Sequence, residues 1–125
     1  MAVSGANRRV LVVDDECIIA DTLALILERN GFVAKAVYSG EKAIEAAREL
    51  KPHALISDVV MSGMTGIDAA IDISKIVPDC RIILFSGQAA TADLQRRAKA
   101  SGHSFEILAK PVHPSVLLNL LANKG

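Results

Sequence analysis

The run Val10-Leu11-Val12-Val13-Asp14-Asp15 decides how the rest of this 125-residue chain is read. Four consecutive apolar residues cannot alternate between core and solvent. A strand built from them is covered on both faces, as in a parallel sheet with helices above and below. Two carboxylates then stand where the strand ends. The arrangement recurs downstream. Asp58 follows Ala54-Leu55-Ile56-Ser57, Ser86 follows Ile82-Ile83-Leu84-Phe85, and Lys110-Pro111 follows Phe105-Glu106-Ile107-Leu108-Ala109.

Helical patterns fill the intervals. After the first strand (Val10–Val13), a helix is expected over about Glu16–Asn30, with Ile19, Leu23, Ile26 and Leu27 at helical spacing as its face for the sheet and Gly31 closing it. A second strand spans Val33–Val37. The second helix opens near Ser39 and ends around Leu50, before Pro52. The third strand, Ala54–Ser57, delivers Asp58. A loop from Val59 to Met64 leads into a third helix, where Thr65 and Asp68 fit a capping box. Pro78-Asp79 turns the chain into a fourth strand, Arg81–Phe85. A fourth helix is expected over about Ala92–Ser101, a fifth strand over Phe105–Ala109, and a last helix from Pro114. Five βα units in one domain over residues 1–125 result, without repeat, linker or low-complexity stretch.

Right-handed crossovers place helices on both sides of such a sheet. The expected fold is α/β, a doubly wound three-layer sandwich with parallel strand order 2-1-3-4-5. Its switch point lies between strands 1 and 3, where a ligand binds outside the carboxyl ends. Those strands carry Asp14, Asp15 and Asp58, so topology and residue chemistry select one spot. Three carboxylates there repel unless a cation joins them. A hard ion with oxygen preference, Mg²⁺, suits the set better than zinc. With charge compensated, an aspartate can attack phosphorus as a nucleophile. Lys110 supplies a positive charge for phosphoryl oxygens and Ser86 a hydroxyl donor.

Composition excludes several classes. Fourteen acidic and fourteen basic side chains give zero formal charge, with no case for generic nucleic-acid or membrane attraction. No apolar run approaches the roughly 18 residues of a membrane span. Cys17 and Cys80 lack any CxxC spacing and read as reduced thiols of a cytoplasmic protein. His53, His103 and His113 show no zinc-ligand spacing. His113 reads as a solvated loop residue, and His53 and His103 as structural residues at the opposite sheet end.

The constellation Asp14-Asp15, Asp58, Ser86 and Lys110-Pro111 resembles the receiver domain of two-component response regulators over about Arg9–Asn123. Val-Leu-Val-Val-Asp-Asp-Glu is similar to that family's first strand and acidic pair. Asp58-Val-Val-Met-Ser-Gly-Met-Thr-Gly is similar to its phosphoacceptor loop, and Leu-Ala-Lys-Pro to its fifth strand end. The resemblance implies a flavodoxin-like (CheY-like) fold, with Asp58 accepting a phosphoryl group from a histidine kinase or histidine phosphotransfer protein. It also implies Mg²⁺ on Asp15, Asp58 and the Val60 carbonyl, with Asp14 acting through water. Ser86 and Lys110 would contact the phosphoryl group. The surface formed by the helix over 92–101, the fifth strand and the last helix would be the output face and a route to a homodimer. Arg96, Arg97 and Lys99 lie on that face. The family's place for proline holds Ser62, and the place of its switching aromatic holds Ile107. Val60 and Gln88 stand two positions after Asp58 and Ser86, where they would tune phosphoryl lifetime.

Each residue has a simpler role as alternative: Asp14-Asp15 as a helix cap, Asp58 and Ser86-Gly87 as turn residues, Lys110 as a solvated lysine. Cys17, at a helix start, reads as packing. Competing functions are a pseudo-receiver scaffold that takes no phosphate and, more distantly, an aspartyl-nucleophile phosphatase. The phosphatase needs a second acid where Val60 stands. A flavodoxin-like cofactor binder would need a phosphate-cradling loop after strand 1, where Asp14-Asp15-Glu16 repel phosphate. The chain reads either as a stand-alone receiver or as one excised from a longer regulator or hybrid kinase.

Overall fold

Apolar side chains of the central strands divide between two layers, one on each side of a five-stranded sheet. The structure, a computed structural model, describes residues 8–59, 66–86, 96, 105–109 and 112–122. In chain order these form β1 (Arg9–Val13), α1 (Cys17–Arg29), β2 (Val33–Val37), α2 (Gly40–Leu50), β3 (Ala54–Asp58), α3 (Gly66–Ile76), β4 (Arg81–Ser86), β5 (Glu106–Ala109) and α4 (Pro114–Ala122). All strand pairs are parallel, in the order β2-β1-β3-β4-β5. This is the flavodoxin-like α/β arrangement expected from the alternating pattern. The expected helix over Ala92–Ser101 lies outside the described residues except for Arg96, which is helical and exposed.

Leu11 and Val13 of β1 join Leu55, Ile82 and Leu84 beneath α2 and α3, where Ala43, Ala47, Ile67, Ala70 and Ile73 close the layer. Val10 and Val12 point the other way, joining Ile56, Ile83 and Phe85 beneath α1 and α4 through Ala20, Ala24, Leu27, Leu117 and Leu121. Each fully buried Leu or Ile contributes about 1.5–3 kcal/mol, so these two layers dominate the stability of the sheet. Alanines on α1 and α2 let the helix backbones approach the strands closely.

Helix ends follow their sequence signals with small displacements. At the end of α1, Gly31 adopts φ 91, and its N–H and that of Phe32 bond the Glu28 and Leu27 carbonyls, a Schellman closure. Ser39 caps α2 by accepting from the Lys42 N–H at 3.1 Å. The cap of α1 is Glu16 without a side-chain bond, so neither Asp14 nor Asp15 is the cap residue. His113 is exposed, but its Nδ1 accepts from the Ser115 N–H at 3.1 Å and so caps α4. The ladder also extends further than the apolar runs: β3 includes Asp58, opposite Phe85, and β4 includes Ser86, opposite Ala109.

The opposite end of the sheet is tied by arginines. The Arg9 guanidinium donates to the Leu50 and Lys51 carbonyls at the end of α2, and Arg8 to Leu121 at the end of α4. Arg81 pairs with Glu106 on β5 and donates to the Leu120 carbonyl. Positive charge at a helix C-terminus complements the carbonyl ends of its dipole. His53, as expected, belongs to this structural end. Its Nδ1 accepts the Arg9 N–H at 2.9 Å, while its backbone N–H donates to the Arg9 carbonyl at 2.8 Å. Cys17 is exposed, whereas burial pushes the Cys80 thiol up to about 12.

Candidate functional site

Asp14, Asp15 and Asp58 come together at the carboxyl ends of β1 and β3. Each offers a carboxylate oxygen, and these oxygens all lie within 4.8 Å of one another. The register explains the meeting. Val13 pairs with Ser57, so the next residue on each strand, Asp14 and Asp58, emerges side by side. Helices α1 and α3 leave the two strands toward opposite faces of the sheet, which opens the crevice between them. Asp14 and Asp58 are buried and Asp15 is exposed.

The backbone around these acids is held by short bonds. Asp14 Oδ1 accepts the Glu16 N–H at 2.9 Å, an Asx-type turn that leads the chain into α1. The Asp14 N–H donates to the Val37 carbonyl at 3.2 Å, anchoring the strand end to β2. On β3, the Ser57 hydroxyl donates to the Asp58 carbonyl at 2.9 Å. The Gly66 N–H donates to the Val59 carbonyl at 2.8 Å, docking the start of α3 against the end of β3.

Ser86, 1% exposed, is the next residue along β4 after Phe85, the register partner of Asp58. It pairs with Ala109, the residue before Lys110. The structure therefore brings together four of the residues predicted from sequence: Asp14, Asp15, Asp58 and Ser86. Val60 and Lys110 lie outside the described residues, as do Pro111, Ser62, Gly63, Thr65, Gln88, Arg97, Lys99 and His103. Ile107 is half-buried and packs against the α2–α3 layer together with Phe105.

Two neighbours were given no role from the sequence, although Ser57 lies in the third strand and Gly66 closes the loop motif that begins at Asp58. Ser57 interrupts an apolar run, and that interruption was the available signal. Gly66 begins α3 where a Cβ would stand 2.2 Å from the Asp58 carbonyl oxygen, a contact no other residue tolerates in this backbone. The donor set is three carboxylates with no sulfur or imidazole, which fits a hard divalent cation such as Mg²⁺. No helix among the described residues is long and apolar enough to cross a membrane.

Known proteins share this frame. The chain is 36% identical to the chemotaxis protein CheY of Thermotoga maritima over 116 residues, covering 92% of this chain and 95% of that protein. It is 28% identical to the DNA-binding response regulator MtrA of Mycobacterium tuberculosis, covering 90% of this chain but only 48% of MtrA. Among solved structures, a response regulator of Burkholderia pseudomallei with a phosphorylated aspartic acid, calcium ion and citrate superposes with a TM-score of 0.80 at 27% identity. That match covers 91% of this chain and 66% of the other. The model of the response regulator receiver domain matches residues 10–122, and the chain belongs to that family.

Proposed function

We propose that this chain is a phosphorylation-controlled switch in a two-component system, with Asp58 as phosphoacceptor and residues 9–123 forming one receiver domain. The convergence of Asp14, Asp15 and Asp58 beside Ser86 carries the reading. Mg²⁺ held by Asp15, Asp58 and the Val60 carbonyl, and by Asp14 through water, would offset the negative charge that otherwise repels a phosphoryl group. The Asp58 carboxylate attacks the phosphorus of a phosphohistidine on a sensor histidine kinase or histidine phosphotransfer protein. A P–O bond forms as the P–N bond breaks, and the imidazole leaves with that electron pair and takes a proton from water. Ser86 donates to one phosphoryl oxygen and Lys110 pairs with another. The phosphorylated aspartate of the Burkholderia relative supports this assignment.

Contacts made only by the phosphorylated form shift the balance between two conformations. The readout is the face built from the 92–101 region, β5 and α4, engaging a partner, an output domain or a second copy. The protein turns over no external substrate beyond its own phosphoryl uptake and slow release. It acts in the cytoplasm and makes no direct contact with nucleic acid or membrane; DNA binding of the kind named for MtrA would belong to the half of that relative this chain does not span. Incubation with Mg²⁺ and a small phosphodonor tests the switch. Intact-mass measurement is expected to show one added phosphate on wild type and none on Asp58→Asn. Absence of any gain in wild type supports the scaffold reading instead.

A further inference from the structure

The hydroxyl of Ser57 stands where the packing asks for an apolar side chain. Ser57 is 1% exposed and occupies the same face of β3 as Leu55. Its register partners are Val13 on β1 and Leu84 on β4, both members of the apolar layer beneath α2 and α3. Valine would fill this position without carrying a polar group out of water, so the hydroxyl works against burial unless its bond has a use.

That bond is directed at the acceptor. Ser57 Oγ donates to the Asp58 carbonyl oxygen at 2.9 Å. The same oxygen faces the start of α3, where a Cβ on Gly66 would lie 2.2 Å away. The following carbonyl, of Val59, accepts the Gly66 N–H at 2.8 Å. The peptide after Asp58 is therefore held at its carbonyl by the Ser57 hydroxyl and at its N–H by the Phe85 carbonyl, 3.0 Å away, while the helix start fixes the peptide beyond it. Its orientation sets ψ of Asp58, the residue whose carboxylate must line up with phosphorus.

We propose that Ser57 is a positioning residue for phosphoryl uptake, its hydroxyl fixing the Asp58 carbonyl and through it the aim of the nucleophile. This rests on the reading of Asp58 as phosphoacceptor. Ser57 itself touches neither the phosphoryl group nor the donor. Rates of in-line attack depend steeply on alignment, so a small rotation of this peptide is felt in the rate constant more than in the fold.

Threonine and valine at position 57 are isosteric and differ by the hydroxyl. Uptake from phosphoramidate with Mg²⁺, followed by intact mass against time, is to be measured beside thermal melts without phosphodonor. Ser57→Thr is expected to stay within about twofold of wild type. Ser57→Val is expected to slow uptake about 3–10-fold while melting at the same temperature or higher. Ser57→Ala removes the hydroxyl without added bulk and is expected to match the valine variant. Equal rates in the threonine, valine and alanine variants overturn the proposal. So does a slowing shared by all three that follows a lowered melting temperature, which reduces Ser57 to packing. Lack of uptake by wild type removes the acceptor reading itself, and this inference with it.

Discussion

Asp14, the residue after β1, and Asp58, the last residue of β3, emerge from adjacent strands with carboxylate oxygens within 4.8 Å of each other. Both are buried, at 5% and 8% exposure, so little water screens the repulsion between them. Neutralising either one is expected to raise metal-free stability by on the order of 1 kcal/mol. Mg²⁺ at one hundred times its dissociation constant is expected to add about 2.7 kcal/mol to wild type, and clearly less to Asp14→Asn or Asp58→Asn. Thermal melts with and without Mg²⁺ measure both effects. An equal Mg²⁺ response in wild type and variants removes the metal site.

Gly66 lets α3 begin against the end of β3. A Cβ there would stand 2.2 Å from the Asp58 carbonyl oxygen and 2.9 Å from the Val59 Cα, both backbone atoms that cannot swing aside. Gly66→Ala is expected to destabilise the protein by about 1–3 kcal/mol in urea unfolding. Because the displaced carbonyl belongs to Asp58, phosphoryl uptake is expected to fall as well. A variant as stable as wild type contradicts the contact.

Arg81 joins three elements at the far end of the sheet. Its Nη2 donates to Glu106 Oε1 at 2.8 Å and its Nη1 to the Leu120 carbonyl. The Glu106 bond raises the guanidinium pKa above its already high value, so the charge is permanent. Arg81→Met keeps the aliphatic stem and is expected to cost about 1–2 kcal/mol, with the two side chains partly exposed. Amide exchange is expected to quicken in β5 and the last turn of α4, leaving β1 and β3 protected. Uniform acceleration across all strands speaks against a local tie.

His53 makes stability pH-dependent. Its Nδ1 accepts the Arg9 N–H, so the ring must be neutral there. Burial, then the nearby Arg9 and Arg8 charges, hold its pKa below the ordinary value of 6.5. The folded state therefore binds fewer protons than the unfolded state. Its contribution is complete above pH 6.5, declines as pH falls through 6.5 toward the folded value, and is constant below that. Melting temperature measured from pH 8 to 5 is expected to fall on the acid side in wild type. His53→Asn, which cannot titrate, is expected to flatten that limb (the span is set to lie about a unit above the carboxylate range). Identical profiles refute the assignment.

Much of the site is legible in the chain itself because its signals are local. Apolar runs of four or five residues, each closed by an acid or hydroxyl, mark the strand ends Val13, Ser57 and Phe85 within one residue. Alternation with helices forces parallel pairing and places Asp14, Asp15 and Asp58 at one crevice. The bonding partners of Ser57, Arg81, His53 and His113 are not legible in the same way, although the sequence places His53 at the structural end of the sheet. Three of these make bonds set by tertiary contacts or by a peptide orientation no composition reveals, and His113 caps through a ring nitrogen, an acceptor outside the usual cap signatures.

Sequence alone determined the order of the strands and the rim at which the acids gather, since hydrophobic period and crossover handedness act through neighbouring residues; it misplaced the face of α1, which buries Ala20, Ala24 and Leu27 and leaves Ile19 exposed. Tertiary structure decided how deep each acid sits, that Asp14 and Asp58 are buried while Asp15 is exposed, and which distant carbonyls the arginines cap. Those outcomes depend on how strands stack in register and how closely helices approach them, and such distances emerge only when the two apolar layers close.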